Sequence, residues 1–112
     1  MSNVRVQSFG YLLSGRPTSK VWRVYDARTL PNPGAMGGKT GEDQEVIDFV
    51  MASPLSHSLL SRILADVESG RVAWLAIGCA YGRHRSVVLA NAVAEELGIV
   101  AEHVDLGHRL HR

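Results

Sequence analysis

The sequence predicts an α/β fold: a small, mostly parallel sheet flanked by helices, forming a single domain over residues 1–112. Three observations carry this expectation. Segments with the period-two pattern of strands alternate with segments whose apolar residues recur every three or four positions, the order expected of βαβ units. The run Trp74-Leu75-Ala76-Ile77 is apolar without alternation, as in a parallel strand buried on both faces. That run then breaks at Gly78 into a short polar turn and continues as an amphipathic helix. A strand–loop–helix of this kind aims unpaired helix N–H groups outward and reads as a phosphate-binding loop.

Each element has its own signal. Val4, Val6 and Ser8 alternate with Arg5, Gln7 and Phe9, which predicts a first strand. Gly10 and Ser14-Gly15-Arg16-Pro17 punctuate the chain after it. Val21-Trp22-Arg23-Val24-Tyr25-Asp26 is rich in β-branched and aromatic residues and predicts a second strand. Pro31 and Pro33 exclude helix and central strand from the next segment, and the glycines up to Gly41 suggest an exposed, functional loop. Val46, Ile47, Val50 and Met51 fall at helical spacing with acidic residues in the first turn. Ser53-Pro54 breaks that helix, and Leu55, Leu59, Ile63, Leu64 and Val67 sketch another, closed by Gly70. Beyond the central strand, Val87, Val88, Ala90, Ala92, Val93 and Leu97 predict a third helix capped by Gly98, and Ile99–Val104 a last short strand. Ligands in such sheets sit at the carboxyl ends of the strands, so parallel strands would bring the Asp26–Asn32 and Cys79–Ser86 loops to one edge.

Composition narrows the function classes. A net charge of +1 gives no strong field, so any nucleic-acid contact must rest on a local patch. The one cysteine excludes an intrachain disulfide and a four-cysteine zinc site, which fits a reducing compartment. The first ten residues hold no hydrophobic signal region, and no run approaches the ~20 apolar residues of a membrane span. The expectation is a cytoplasmic protein with no membrane association, and nothing in the residues calls for a metal or cofactor.

The polar turn carries the chemistry. Arg85 has a guanidinium that can fork onto phosphate oxygens, and Ser86 adds a hydroxyl. Cys79, five intervening residues and Arg85-Ser86, with Gly82 between, match the cysteine-dependent phosphatase signature C-x-x-G-x-x-R-S/T. Helix N-terminal amides and nearby arginines favour a thiolate there. Those enzymes usually carry histidine before the cysteine, where this chain has Gly78, and need an aspartate acid for which Asp26, Asp43 and Asp105 are candidates. Three readings stand: a non-catalytic anion site that senses a phosphorylated metabolite and has no catalytic residue, a phosphatase using Cys79 and Arg85, and a protein-interaction module with a vestigial anion pocket. In the bland alternative Cys79 is a small, half-buried residue at the strand end.

Other signals are weaker. Gly34-Ala35-Met36-Gly37-Gly38-Lys39-Thr40 approaches a P-loop, but the required first glycine falls on Pro33 and no strand leads directly in, so it reads as a flexible loop. His103, His108 and His111 cluster near the end without a cysteine or acidic set to complete a zinc pattern, and read as solvated tail residues. His84 sits inside the anion loop, where its charge responds to a phosphate near neutral pH. Arg83 and Arg85, with Arg16, Lys20, Arg28 and Lys39 if folded nearby, would form a basic rim. Tyr81, exposed by its position, offers a ring for a base or sugar.

With these residues in view, the chain resembles the C-terminal domain of the RapZ/YvcJ family of bacterial RNase adapter proteins. Ser8-Phe9-Gly10-Tyr11 is similar to the family's S-F-G-F/Y opening, and Tyr25-Asp26-Ala27-Arg28 with Leu30-Pro31-Asn32-Pro33 resembles its F-D-V-R-F-L-P-N-P stretch. Thr40-Gly41 followed by Val46-Ile47-Asp48-Phe49 is similar to L-T-G…V-x-x-F. Ile77-Gly78-Cys79…Gly82-Arg83-His84-Arg85-Ser86-Val87 resembles I-G-C-T-G-G-x-H-R-S-V, and His103-Val104-Asp105-Leu106 its terminal H-R-D-L. The resemblance implies an α/β domain that binds glucosamine-6-phosphate and, in some members, a small regulatory RNA, and that self-associates as a homo-oligomer. It implies Asp26, Arg28 and Asn32 facing the sugar and Gly82, His84 and Arg85 holding the phosphate, with Cys79, Arg83 and Ser86 in the same loop. The family's amino-terminal nucleotide-binding domain has no counterpart in these residues. Ala80-Tyr81 stands where the family has Thr-Gly, Gly34 where a histidine often follows P-N-P, and Val104 where H-R-D-L has its arginine. Phosphate capture therefore carries over more fully than the identity of the sugar.

Overall fold

Residues Val6 to Gly10 are buried without a break, so the first strand, β1 (Arg5–Gly10), has no solvent face. A computed structural model, describing residues 3–107, shows why. β1 lies inside a four-stranded sheet. The second strand, β2 (Trp22–Asp26), is at one edge, followed by β3 (Trp74–Cys79), β1 and the last strand, β4 (Glu102–His103). Every pairing is parallel: β1 with β3 from Arg5↔Trp74 to Gly10↔Cys79, β2 with β3 from Trp22↔Trp74 to Asp26↔Gly78, and β1 with β4 at Gln7↔Glu102 and Ser8↔His103. The expected parallel sheet, with its double-sided central strand, is observed: Leu75, Ala76 and Ile77 are fully buried.

Helix α1 (Gln44–Met51), helix α2 (Pro54–Glu68) and helix α3 (Arg85–Leu97) complete the fold. Helix α3 packs on β1 and β3, with α1 and α2 against it. The core joins Val6, Leu75 and Ile77 of the sheet to Val88, Leu89 and Val93 of α3, Val46 and Val50 of α1, and Ile63 of α2. The Ser53-Pro54 break works as a start signal: Ser53 Oγ accepts a hydrogen bond from the Leu55 amide, and Pro54 fills a first-turn position whose N–H would be unpaired anyway. Gly98 ends α3 at φ 72°, and the Ile99 amide still donates back to Ala94. That return bond shortens the final strand to Glu102–His103 from the expected Ile99–Val104.

The other face of the sheet explains Gly78. The rings of Phe9 and Tyr11 meet edge to face at 4.8 Å beside it, and a Cβ at position 78 would run into the Phe9 ring. The histidine usual before a phosphatase cysteine therefore has no room here. Gly10 is equally constrained, since its Cβ would come within 2.5 Å of the Tyr81 carbonyl carbon.

His103 is not a solvated tail residue. It is half-buried, 2.7 Å through Nδ1 from Ser8 Oγ and 2.9 Å through Nε2 from Asn91 Oδ1, because parallel pairing lays β4 along β1. Residues 108–112, including His108 and His111, lie outside the described residues. Among the described residues no helix is long and apolar enough to cross a membrane, and no group of three His, Cys, Asp or Glu side chains could hold a metal ion.

Candidate functional site

Because β2 and β3 run parallel, their carboxyl ends open the same edge of the sheet, as the placement of the two loops required. A cleft of about 300 Å3 lies there, lined by Asn32, Gly34 and Ala35 on one side and by Cys79, Ala80, Tyr81, Arg83, His84 and Arg85 on the other. Its size falls within the usual range for small-ligand sites.

Cys79 forms the floor. It is buried, with Sγ 3.1 Å from Ser86 Oγ and 3.4 Å from the Ser86 amide. The amides of Gly82 and His84 lie near enough to the sulfur to favour its negative form. Burial pushes the Cys79 thiol up, but the Ser86 hydroxyl and the three amides outweigh it and leave the thiol below its ordinary value. The loop is thus a nest of N–H groups around a site for negative charge. Gly82 makes the turn at φ 65°, close against β1, where a Cβ would meet the Gly10 nitrogen at 2.7 Å.

The three cationic or imidazole side chains of the loop tie it to its neighbours. Arg83 Nη2 donates to the Gly38 carbonyl at 2.7 Å, and His84 Nε2 donates to the Lys39 carbonyl at 2.7 Å. Arg85, itself buried, donates through Nη1 to the Arg28 carbonyl at 2.8 Å and the Leu30 carbonyl at 3.3 Å. Burial lowers the His84 pKa, the Lys39 carbonyl raises it, and Arg83 and Arg85 lower it further, so the ring is held neutral at neutral pH.

The structure separates the expected site residues into two sets. Asn32, Cys79, Arg83, His84 and Arg85 line the cleft. Gly82 and Ser86 lie behind its floor, as turn and sulfur partner. Asp26 and Arg28 stand outside the lining and engage each other: Arg28 Nη2 donates to Asp26 Oδ2 at 2.8 Å and its amide to Oδ1 at 2.8 Å. The Arg28 side chain holds the Asp26 carboxyl below its usual range despite partial burial. The same guanidinium stacks 3.8 Å from the Tyr11 ring centroid.

The aspartates considered as general acids are similarly engaged. Asp105 is buried and accepts from the Gly10 amide at 2.8 Å and Ser14 Oγ at 2.6 Å. Asp43 accepts from the Thr40 amide at 2.7 Å. No carboxylate is among the residues lining the cleft. The bland reading of Cys79 understated its burial, at 3% exposure.

Sequence reasoning missed the contribution of the near P-loop. Its Lys39 pairs with Glu45 at 3.3 Å, but its first residues, Gly34 and Ala35, form a wall of the cleft, with Met36–Gly38 in a 3-10 turn. Only the density of glycines hinted at a role.

A family model described as the RapZ C-terminal domain matches residues 2–112. The chain belongs to this family. RapZ C-terminal domain relatives include proteins named nucleotide-binding protein from Mycolicibacterium vanbaalenii, 37% identical over 95% of this chain, and from Halorhodospira halophila, 38% identical over 96%. A nucleotide-binding protein of Clostridioides difficile is 37% identical over 77% of the chain. The chain spans only 34%, 38% and 41% of the lengths of the Clostridioides, Mycolicibacterium and Halorhodospira proteins. Within the region that the family model covers, Cys79 to Arg85 supply the floor and one wall of the cleft, with Ser86 behind the sulfur.

Proposed function

We propose that this RapZ C-terminal domain binds a phosphorylated small molecule, an amino-sugar phosphate, between Asn32–Ala35 and Cys79–Arg85, and acts as a non-catalytic sensor. One observation carries the reading: Arg83, His84, Arg85 and the amino end of the 13-residue helix α3 converge on a cleft lined by no carboxylate. Two guanidinium groups, an imidazole and a helix dipole favour an anion there. A phosphate in the cleft competes for the donors that now hold the Gly38, Lys39 and Arg28 carbonyls, and so couples occupancy to the flanking loops. Regulatory RNA binding and self-association come with the family as additional proposals. RNA takes second place to the small anion, since Arg28 and Lys39 of the basic rim are each in an ion pair.

A second reading is favoured by the lowered Cys79 thiol, which suits phosphoryl transfer in the C-x5-R-S loop. The sensor is preferred because Asp26, Asp43 and Asp105 are all engaged elsewhere and none lines the cleft. Calorimetric titration with glucosamine-6-phosphate, with glucosamine as control and released phosphate assayed in the same cell, separates the two. Saturable binding of the phosphate ester without release is the expected result. Release that disappears in Cys79→Ser would replace the sensor with the phosphatase.

A further inference from the structure

Tyr81 is a large aromatic residue left without a protein partner at the mouth of this cleft. It is 46% exposed and lines the cleft. It makes no ring contact or hydrogen bond with another described residue, whereas Phe9, Tyr11, Trp22, Tyr25 and Trp74 all do. The main chain leading into it is held against the end of β1. The Tyr11 amide donates to the Cys79 carbonyl at 2.8 Å, the Leu12 amide donates to the Ala80 carbonyl at 2.9 Å, and Gly10 leaves no room for the Tyr81 backbone to shift toward β1. Holding the neighbouring backbone keeps the ring at the mouth of the cleft and limits what must be ordered on binding to its side-chain rotamer.

The rest of the cleft divides by chemistry. Arg83 and Arg85, with the neutral His84 ring between them in sequence, make the positive end, which an inorganic phosphate satisfies by itself. Ala35, Gly34 and Ala80 are small and uncharged, Asn32 adds one amide, and Tyr81 is the only large apolar surface in the lining. Asn32 Oδ1 is already accepting from the Gly34 amide at 3.0 Å, which leaves its Nδ2 for a ligand hydroxyl or ring atom.

We infer that Tyr81 is a specificity-determining platform: it stacks on a ring attached to the phosphate, and so selects ring-bearing phosphomonoesters over open-chain ones. The proposal rests on the anion-cleft reading above and adds to it the shape of the non-phosphate half. Both a pyranose and a nucleobase present a flat face suited to an aromatic ring.

The test compares inorganic phosphate, glycerol 3-phosphate, glucosamine-6-phosphate and adenosine 5′-monophosphate on the intact chain and on Tyr81→Phe and Tyr81→Ala. At least one ring-bearing ester should bind about 3- to 10-fold more tightly than glycerol 3-phosphate, the span of an aromatic contact. Tyr81→Phe should keep that advantage, and Tyr81→Ala should abolish it while inorganic phosphate still binds saturably. Which ester gains distinguishes a sugar from a base. An unchanged urea midpoint verifies that both variants are folded. An advantage that survives Tyr81→Ala, or none in the intact chain while inorganic phosphate binds, overturns the platform alone. Failure of every phosphate to bind overturns the anion cleft, and the platform with it.

Discussion

Arg85 Nη1 lies 2.8 Å from the Arg28 carbonyl oxygen, so the arginine of the anion loop also anchors the turn that leaves β2. One side chain thus joins the two loops that frame the cleft. Removing it takes a cation from the site and leaves the Arg28 and Leu30 carbonyls without that donor. Arg85→Gln should lower unfolding free energy by about 1.5–3 kcal/mol, the range for hydrogen bonds to charged groups, and should weaken phosphate binding. Urea denaturation and calorimetry read the two effects. Arg85→Lys should recover part of the affinity and little of the stability, since an ammonium keeps the charge but lacks the planar fork.

The contact between the end of β1 and the anion loop makes a second prediction. At Gly10 a Cβ meets Tyr81 backbone at 2.5 Å, and at Gly82 it meets Gly10 backbone at 2.7 Å, neither of which a flexible side chain can relieve. Gly10→Ala should cost about 1–3 kcal/mol by overpacking, and Gly82→Ala at least as much because its φ is also left-handed. Gly107→Ala, facing open space at an ordinary φ, is the neutral control in the same denaturation series.

His84 and His103 both have lowered pKa values, chiefly from burial, with Lys39 and Glu42 respectively acting against the shift. Each is therefore neutral in the folded chain at pH values where the unfolded chain already binds a proton. Their contribution is complete above the ordinary histidine value of about 6.5 and is lost as pH falls through the window below it. The urea midpoint should decline on acidification through that window, and His84→Gln combined with His103→Gln should flatten the decline. A slope unchanged in the double variant would assign the acid sensitivity to other groups.

Arg83 holds the Gly38 carbonyl from outside the core, so its loss should act locally. In Arg83→Ala, amides of residues 36–40 should exchange with solvent several-fold faster while core strand amides keep their protection, the pattern of a local rather than global opening. Hydrogen exchange measured by mass spectrometry on the loop peptide checks this. Uniform acceleration across β1 and β3 would show instead that Arg83 supports the whole fold.

What the sequence revealed of this molecule was mostly local. Trp74 to Leu89 announces a strand, a glycine-bearing turn and a helix within one short stretch, and the structure keeps that order. The shared edge of the Asn32 and Cys79 loops was legible because parallel strands put their carboxyl ends together. Asp26 and Arg28 show the limit. Two residues apart at the end of β2, they suit a ligand and suit each other equally well, and spacing cannot choose between the two. His103 was misread for a different reason: its partner Ser8 is 95 residues away and becomes adjacent only through strand pairing. The wall formed by Gly34 and Ala35 was hidden likewise, because the bonds from Arg83 and His84 that position this loop end on main-chain carbonyls, which leave no sequence signature.

The most direct test of the anion cleft is an amide chemical-shift titration of the intact chain with inorganic phosphate at constant ionic strength. Phosphate in the cleft should give saturable shifts concentrated at Gly82, His84 and Ser86, the amides nearest Cys79, with weaker changes at Gly38 and Lys39 as the loop donors are redirected. The same titration of Arg85→Gln should require much more phosphate to reach half-saturation. Shifts that are absent, scattered over the surface or centred away from residues 79–87 would contradict the claim that this loop binds phosphate.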